Sequence, residues 1–172
     1  MKNINNFEIK AKCSNLDKIR DILKSQNAEF KGKDNQIDTY FKIPKGRLKL
    51  RQGTIENNLI HYERDNQEGP KQSNITLYKI SKGNSLKDIL IKSLDILVVV
   101  DKQREIYFIK NVKFHIDQVK NLGSFIEIEA IDKDGTIDKK DLLKQCKYYI
   151  NLLKIKDQDL VSGSYSDLLL KK

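Results

Sequence analysis

From Phe7 to Cys13 the chain alternates, with Phe7, Ile9, Ala11 and Cys13 separated by Glu8, Lys10 and Lys12, the period of two expected of a strand with one apolar face. Ser14 with Asp17 reads as a capping box opening a helix in which Leu16, Ile19, Ile22 and Leu23 share a stripe that a sheet must cover. Residues 38–43 are aromatic and β-like, and Pro44-Lys45-Gly46 supplies a turn into 47–51, where Leu48 and Leu50 alternate with Arg47, Lys49 and Arg51. The pair predicts a hairpin. Further strands are expected at 59–64 and 74–80, on either side of a loop at Gly69-Pro70. Ser85 with Asp88 predicts a second capping box, before a stripe of Leu86, Ile89, Leu90 and Leu94.

The second half opens with strands at 97–100 and 104–109, continues at 112–118, turns near Asn121 to Gly123 and returns at 125–131. Most of these connections are short enough for antiparallel pairing. Asp138 or Thr136 caps a helix through Leu142, Leu143, Cys146, Ile150 and Leu153, and the tail adds a short piece around 165–170. Strands with apolar stripes on separate helices predict an α+β chain, and 172 residues fit one domain spanning 1–172.

Composition narrows the class. Hydrophobic residues make up 38% and charged residues 33%, with two prolines and eight glycines, the profile of a charged globular protein rather than a disordered one. Cys13 and Cys146 match no paired-ligand spacing and read as small thiols of a reduced compartment. The longest apolar stretch, 94–100, contains Asp95 and is too short to span a bilayer, so no membrane partner and a cytoplasmic location are expected. A formal charge of +9, with a pI near 9.4, favours anionic partners.

Several strands set an apolar face against an ionisable one: Glu8, Lys10 and Lys12; Arg47, Lys49 and Arg51; Lys102 and Arg104; His115 and Asp117; Glu127 and Glu129. These faces meet either water, as in a half-exposed sheet, or one another across a closed barrel. In a barrel the cations would suit phosphate oxygens, and the carboxylates a hard divalent ion such as Mg²⁺ or Mn²⁺. The interleaving of acids with bases disfavours nucleic acid, since a duplex-binding face excludes carboxylates.

Asn6-x-Glu8-x-Lys10, Asp38-Thr39-Tyr40-Phe41, the run from Gly46 to Arg51, Lys102-x-Arg104-Glu105, and His115-x-Asp117 leading to Gly123 through Glu129 resemble the CYTH superfamily of triphosphate tunnel metalloenzymes. The resemblance extends to Gly163-Ser164-Tyr165. The family's signature is Glu-x-Glu-x-Lys; Asn6 stands where its first Glu falls in the register that keeps Glu8 and Lys10, whereas the register Glu8-x-Lys10-x-Lys12 would put a lysine where a carboxylate belongs.

The resemblance implies an antiparallel β-barrel tunnel with a charged interior and helices packed outside. By resemblance, Glu8, Glu127, Glu129 and Asp117 hold the metal, Mg²⁺ or Mn²⁺. Lys12, Arg47, Lys49, Arg51, Arg64, Lys102 and Arg104 grip phosphates, and Lys10 with Glu8 carries the catalysis, Lys10 as general base or as a further phosphate clamp. His115 is open between metal ligand, proton shuttle and structural histidine, and His61 is assigned no role.

The implied function is a metal-dependent enzyme acting on the triphosphate of a nucleotide, with the class IV adenylyl cyclase-like reaction, ATP to cyclic AMP and pyrophosphate, leading. A triphosphatase and a non-catalytic nucleotide- or polyphosphate-binding module are the alternatives, the second prompted by Asn6. The partner is a triphosphate, and the oligomeric state is left open, a homodimer included.

Overall fold

The computed structural model describes residues 4–81, 83 and 85–172. The elements follow one another as β1 (Ile4–Lys12), α1 (Leu16–Ser25), β2 (Glu29–Phe41), β3 (Arg47–Gly53), β4 (Asn57–Glu63), β5 (Lys71–Lys79), α2 (Leu86–Ser93), β6 (Ile96–Ile109), β7 (Val112–Val119), β8 (Gly123–Asp132), α3 (Lys139–Leu152), a 3₁₀ turn (Asp157–Asp159) and α4 (Tyr165–Leu170). Every strand pairing is antiparallel, and the eight strands close into a barrel in the order β1-β5-β4-β3-β2-β6-β7-β8. The seam is β1, which pairs with β5 through Asn6 and Ser73 and with β8 through Glu8 and Glu129.

Alternation then sorts the side chains. Ile9 and Ala11 of β1, Phe114 and Ile116 of β7, and Ile126 and Ile128 of β8 point outward and are buried beneath Leu16, Ile19 and Leu23 of α1 and Leu142 and Cys146 of α3. The barrel wall therefore has its apolar face outside, under helices. A second cluster, in which Tyr40, Ile60 and Tyr62 meet Val119, Phe125, Val161 and Tyr165, brings α4 against the barrel interior toward the β7–β8 turn. The Phe125 and Tyr165 rings meet edge-on with centroids 5.0 Å apart.

The hairpin at 44–46 and the cap at Asp138, which accepts from the Lys140 amide at 2.7 Å, match expectation. Four details differ. The strands expected at 97–100 and 104–109 are the single β6, because Lys102 continues the inward face and Asp101 and Gln103 the outward one. Strand β2 begins nine residues before Asp38, at Glu29, and crosses a bulge at Gly32, whose φ of +127° is open to glycine. Helix α1 is capped by Asn15, which accepts from the Lys18 amide at 3.0 Å, rather than by Ser14. Ser85 makes no side-chain cap bond, since its φ and ψ of −81° and 7° are near-helical and not the extended geometry that aims a cap at the first amides.

The expected stripe on α2 is also displaced. No α2 residue is buried: Leu86, Leu90 and Leu94 are half-buried at a spacing of four, while Ile89 turns outward and is 55% exposed. Among the described residues no helix is long and apolar enough to cross a membrane.

Candidate active site

The bore is built by the inward face of each strand. β1 contributes Glu8 and Lys10, β3 Lys49 and Arg51, β6 Lys102 and Arg104, β7 Lys113 and His115, and β8 Glu127 and Glu129, while Glu56 enters from the β3–β4 turn and Arg64 from just past β4. Among the described residues, seven lysines and arginines and four carboxylates line this one cavity. The open space is thus net positive, with further carboxylates buried behind the cations.

Asp38 is the first of these hidden anions. It accepts from Arg51 Nε and Nη2, each at 2.9 Å, from Lys102 at 2.7 Å and from Lys49 at 3.2 Å. Burial by itself would raise its pKa, but Arg51, Lys102 and Lys49 outweigh burial and hold the carboxyl well below the usual range. Burial in turn pulls Lys102 down to about 7, against the attraction of Asp38 and with the help of Arg51 and Arg104. Four residues upstream of Asp38, Asp34 accepts from Thr54, from the Ile55 and Glu56 amides and from Gln36, and so fixes the β3–β4 turn that carries Glu56 into the bore.

Glu127 is the second centre. Its carboxylate pairs with Lys10, accepts from Arg104 Nη2 at 2.6 Å and lies 3.0 Å from His115 Nδ1. Burial favours the neutral acid, yet Lys10 and Arg104 keep Glu127 well below the ordinary range. Arg104 also donates to Asp117 Oδ1 at 2.7 Å, and Asp117 accepts from the Tyr165 hydroxyl at 2.7 Å. Lys10 Nζ sits 3.8 Å from the centroid of the same tyrosine ring.

Most of the residues singled out from sequence converge here. Glu8 lines the bore and pairs with Arg64; Lys10, Lys49, Arg51, Arg64, Lys102, Arg104, Glu127 and Glu129 line the same space. Three lie apart. Lys12 shares the parity of Lys10 but is the last residue of β1, exposed past the rim, and it borders an outer cleft with Cys13 and Lys18. Arg47 is outside the lining, bound to Asn66 at 2.9 Å and Asp167 at 3.1 Å. Asp117 is fully buried behind Arg104 rather than facing the space.

Sequence reasoning passed over Asp34, Gln36, Glu56, Lys113 and the buried Lys71, and gave Asp38 and Tyr165 no role. Lys71 donates to the carbonyls of Gln67, Val161 and Ser162 at 3.2, 3.1 and 2.7 Å, anchoring the segment that leads into α4. The parity of Asp34, Gln36 and Asp38 with Tyr40 is the signal that would have exposed the bore face of β2.

Among the described residues, one group of three has donor atoms close enough for a metal ion: His115, Glu127 and Glu129, within 4.8 Å of one another. The donors fit a divalent cation. An ionised carboxylate only accepts, so the Nδ1–H of a neutral His115 donates to Glu127 and leaves the lone pair on Nε2, an atom that is buried and without a partner. Burial first, then Arg104, lowers the His115 pKa and favours that neutral form. Glu8 adjoins Glu129 across the β1–β8 ladder but is held by Arg64. Among the described residues Asn6, which is buried, has no partner for its Oδ1, nor has the hydroxyl of Ser73 opposite it.

The geometry is that of an eight-stranded antiparallel barrel with a net-positive bore, whose charge suits a polyanion, and a carboxylate–imidazole cluster in its wall, whose donors suit a cation. The chain belongs to the CYTH domain family, which it matches over residues 5–165. No curated protein matches the sequence significantly. Among solved structures, the fold is shared with a Pyrococcus horikoshii protein at 23% identity and a TM-score of 0.79, over 95% of this chain and 98% of that one. It is shared with a putative adenylate cyclase of Vibrio parahaemolyticus at 19% identity and a TM-score of 0.78, over 96% and 97% of the two chains. A putative adenylyl cyclase of Hippeastrum, described as having dominant triphosphatase activity, aligns at 10% identity with a TM-score of 0.59, over 96% and 94%.

Proposed function

We propose that this protein is a metal-dependent enzyme acting at a phosphorus of a triphosphate drawn into the barrel, with cyclisation of ATP to cyclic AMP and pyrophosphate as the leading reaction. The observation that carries the reading is the imbalance of the bore, where seven cations and four carboxylates meet one space. A triphosphate brings about four negative charges, enough to join the internal carboxylates as a further partner of Lys49, Arg51, Lys102 and Arg104.

His115, Glu127 and Glu129 would hold the cation, Mg²⁺ or Mn²⁺, with Glu8, opposite Glu129 on the β1–β8 ladder, as a further ligand. When bound, such an ion neutralises charge on the phosphoryl oxygens and polarises the phosphorus under attack. The chain's own residues do the rest. Arg51 and Arg104, each already fixed by a carboxylate, present rigid donors to the transferring and leaving phosphates and stabilise the charge that develops there. Lys10, between Glu127 and the Tyr165 ring, would clamp a phosphate oxygen as the ammonium or, in its neutral form, take the proton of the attacking hydroxyl.

Hydrolysis is the second reading, supported by the Hippeastrum protein, whose description joins a putative cyclase to a dominant triphosphatase activity. Incubation with Mg²⁺ or Mn²⁺ and ATP, thiamine triphosphate or tripolyphosphate, followed by product separation, tests both. Cyclic AMP accumulation selects the cyclase, and phosphate release without it selects the hydrolase. Tight binding with no product from any of the three would overturn the enzymatic reading in favour of a sensor.

A further inference from the structure

Among the described residues, the aliphatic side chains that line the bore all lie on β4 and β5. On β4 the inward positions between Asn58 and Arg64 are Ile60 and Tyr62; on β5, between Ser73 and the strand's end, they include Ile75 and Leu77. The register pairs Ile60 with Leu77 and Tyr62 with Ile75, so the four form a continuous patch across two neighbouring strands. In the closed strand order β5 and β4 lie four places from β6 and β7, which puts this patch across the bore from the strands of Lys102, Arg104 and His115. Its exposure rises from β4 to β5, from 7% at Ile60 to 44% at its cross-strand partner Leu77, an apolar side chain left open to the tunnel it lines.

Phosphate oxygens gain nothing from methyl groups. A bare polyphosphate would use the charged strands and leave this wall wetted, whereas an apolar or aromatic group joined to the phosphates would bury it and release its water. We infer that the β4–β5 wall, centred on Ile75 and Leu77 and backed by Ile60, seats the organic part of the substrate, so that the tunnel selects an organic triphosphate over inorganic tripolyphosphate. The inference rests on the triphosphate reading above and adds to it the residues that set specificity. Selectivity is a difference of affinities, and tripolyphosphate carries at least as much charge as ATP, so electrostatics alone favours the inorganic ligand. Any advantage of the organic one must come from uncharged contacts.

Calorimetric titration separates this from catalysis. ATP, thiamine triphosphate and tripolyphosphate are titrated into the wild type, Ile75→Thr and Leu77→Ser at fixed ionic strength with Mn²⁺, and turnover is followed in parallel. At least one organic triphosphate is expected to bind about tenfold or more tightly than tripolyphosphate. Each substitution should remove roughly tenfold of that affinity, within the range a small apolar contact contributes to discrimination, while tripolyphosphate shifts by less than twofold. Because Leu77 is exposed, Leu77→Ser should fold as the wild type does. Equal or tighter binding of tripolyphosphate, or equal losses for all three ligands, overturns the inference. Selective binding without turnover would leave the wall's role standing and remove the catalytic reading; turnover without selectivity would do the reverse.

Discussion

Lys102 donates to Asp38 at 2.7 Å with both side chains 1% exposed, and the bond joins β6 to β2 inside the barrel. Lys49 and Arg51 of β3 share the same carboxylate, Arg104 adds a like charge from the next inward position, and the Tyr165 ring of α4 lies 5.9 Å from the Lys102 ammonium. Burial first, then Arg51 and Arg104, pulls the Lys102 pKa to about 7, so its proton is released near neutral pH in the free protein. A bound polyanion favours the charged form, so the complex holds more protons than the free protein above pH 7. Affinity for tripolyphosphate, measured without metal, should therefore fall between pH 7 and 9, approaching tenfold per unit while one proton is linked. Lys102→Arg should flatten the slope. A flat wild-type profile would mean that Lys102 does not meet the anion.

The two acids of β8 should differ in what they do for the fold. Glu127 pairs with Lys10 and Arg104, so Glu127→Gln leaves two buried cations with fewer partners, a loss on the order of 3–5 kcal/mol for a broken buried pair. Glu129 lies 3.6 Å from His115, and Glu129→Gln should leave the melting temperature within a few degrees of wild type. Both should abolish the response of activity to Mn²⁺. Thermal melts beside Mn²⁺ titrations check the split, and retained metal response in both variants would remove these residues from the metal site.

What the sequence made legible was the period. Where charged and apolar positions alternate, as along Phe7 to Lys12 and Arg47 to Arg51, a strand and its bore face were both readable, because one face had to be covered by helices and the other could not be. β2 was hidden for the opposite reason. Its inward Asp34 and Gln36 alternate with the exposed polar Lys33 and Asn35, so no apolar face marks the residues from Glu29 to Gln36. Lys12 shows the limit of parity, which fixes the face a side chain takes but not where the barrel rim falls. Glu56 and Lys113, joined by an ion pair, were out of reach because the β3–β4 turn brings Glu56 inward through amide bonds to a distant Asp34.

His115 gives the metal site a nitrogen donor beside two carboxylates, and imidazole favours Mn²⁺ and the later divalent metals over Mg²⁺. Mn²⁺ is expected to bind at least tenfold more tightly than Mg²⁺ in the wild type, and His115→Asn should narrow that ratio severalfold. Pulsed electron paramagnetic resonance of the Mn²⁺ form should carry an imidazole nitrogen coupling that His115→Asn removes. The absence of that coupling in the wild type would return His115 to a purely structural role.

The β3–β4 turn offers a test of how Glu56 is positioned. A methyl group at Gly53 would lie 2.5 Å from Asp34 Oδ1 and 2.6 Å from the Glu56 carbonyl oxygen, closer than a carbon and an oxygen can approach without displacement. Asp34 cannot simply swing away, because its two oxygens hold the Thr54 hydroxyl and the Ile55 and Glu56 amides. Gly53→Ala is therefore expected to cost about 1–3 kcal/mol by overpacking. The same displacement should loosen Glu56 from Arg51 Nη1, now 2.9 Å away, and leave Arg51 more mobile in the bore. A lowered denaturation midpoint together with weaker tripolyphosphate binding is the expected pair of results. An unchanged midpoint would show that the turn yields freely, and that Asp34 does not fix the entrance of Glu56.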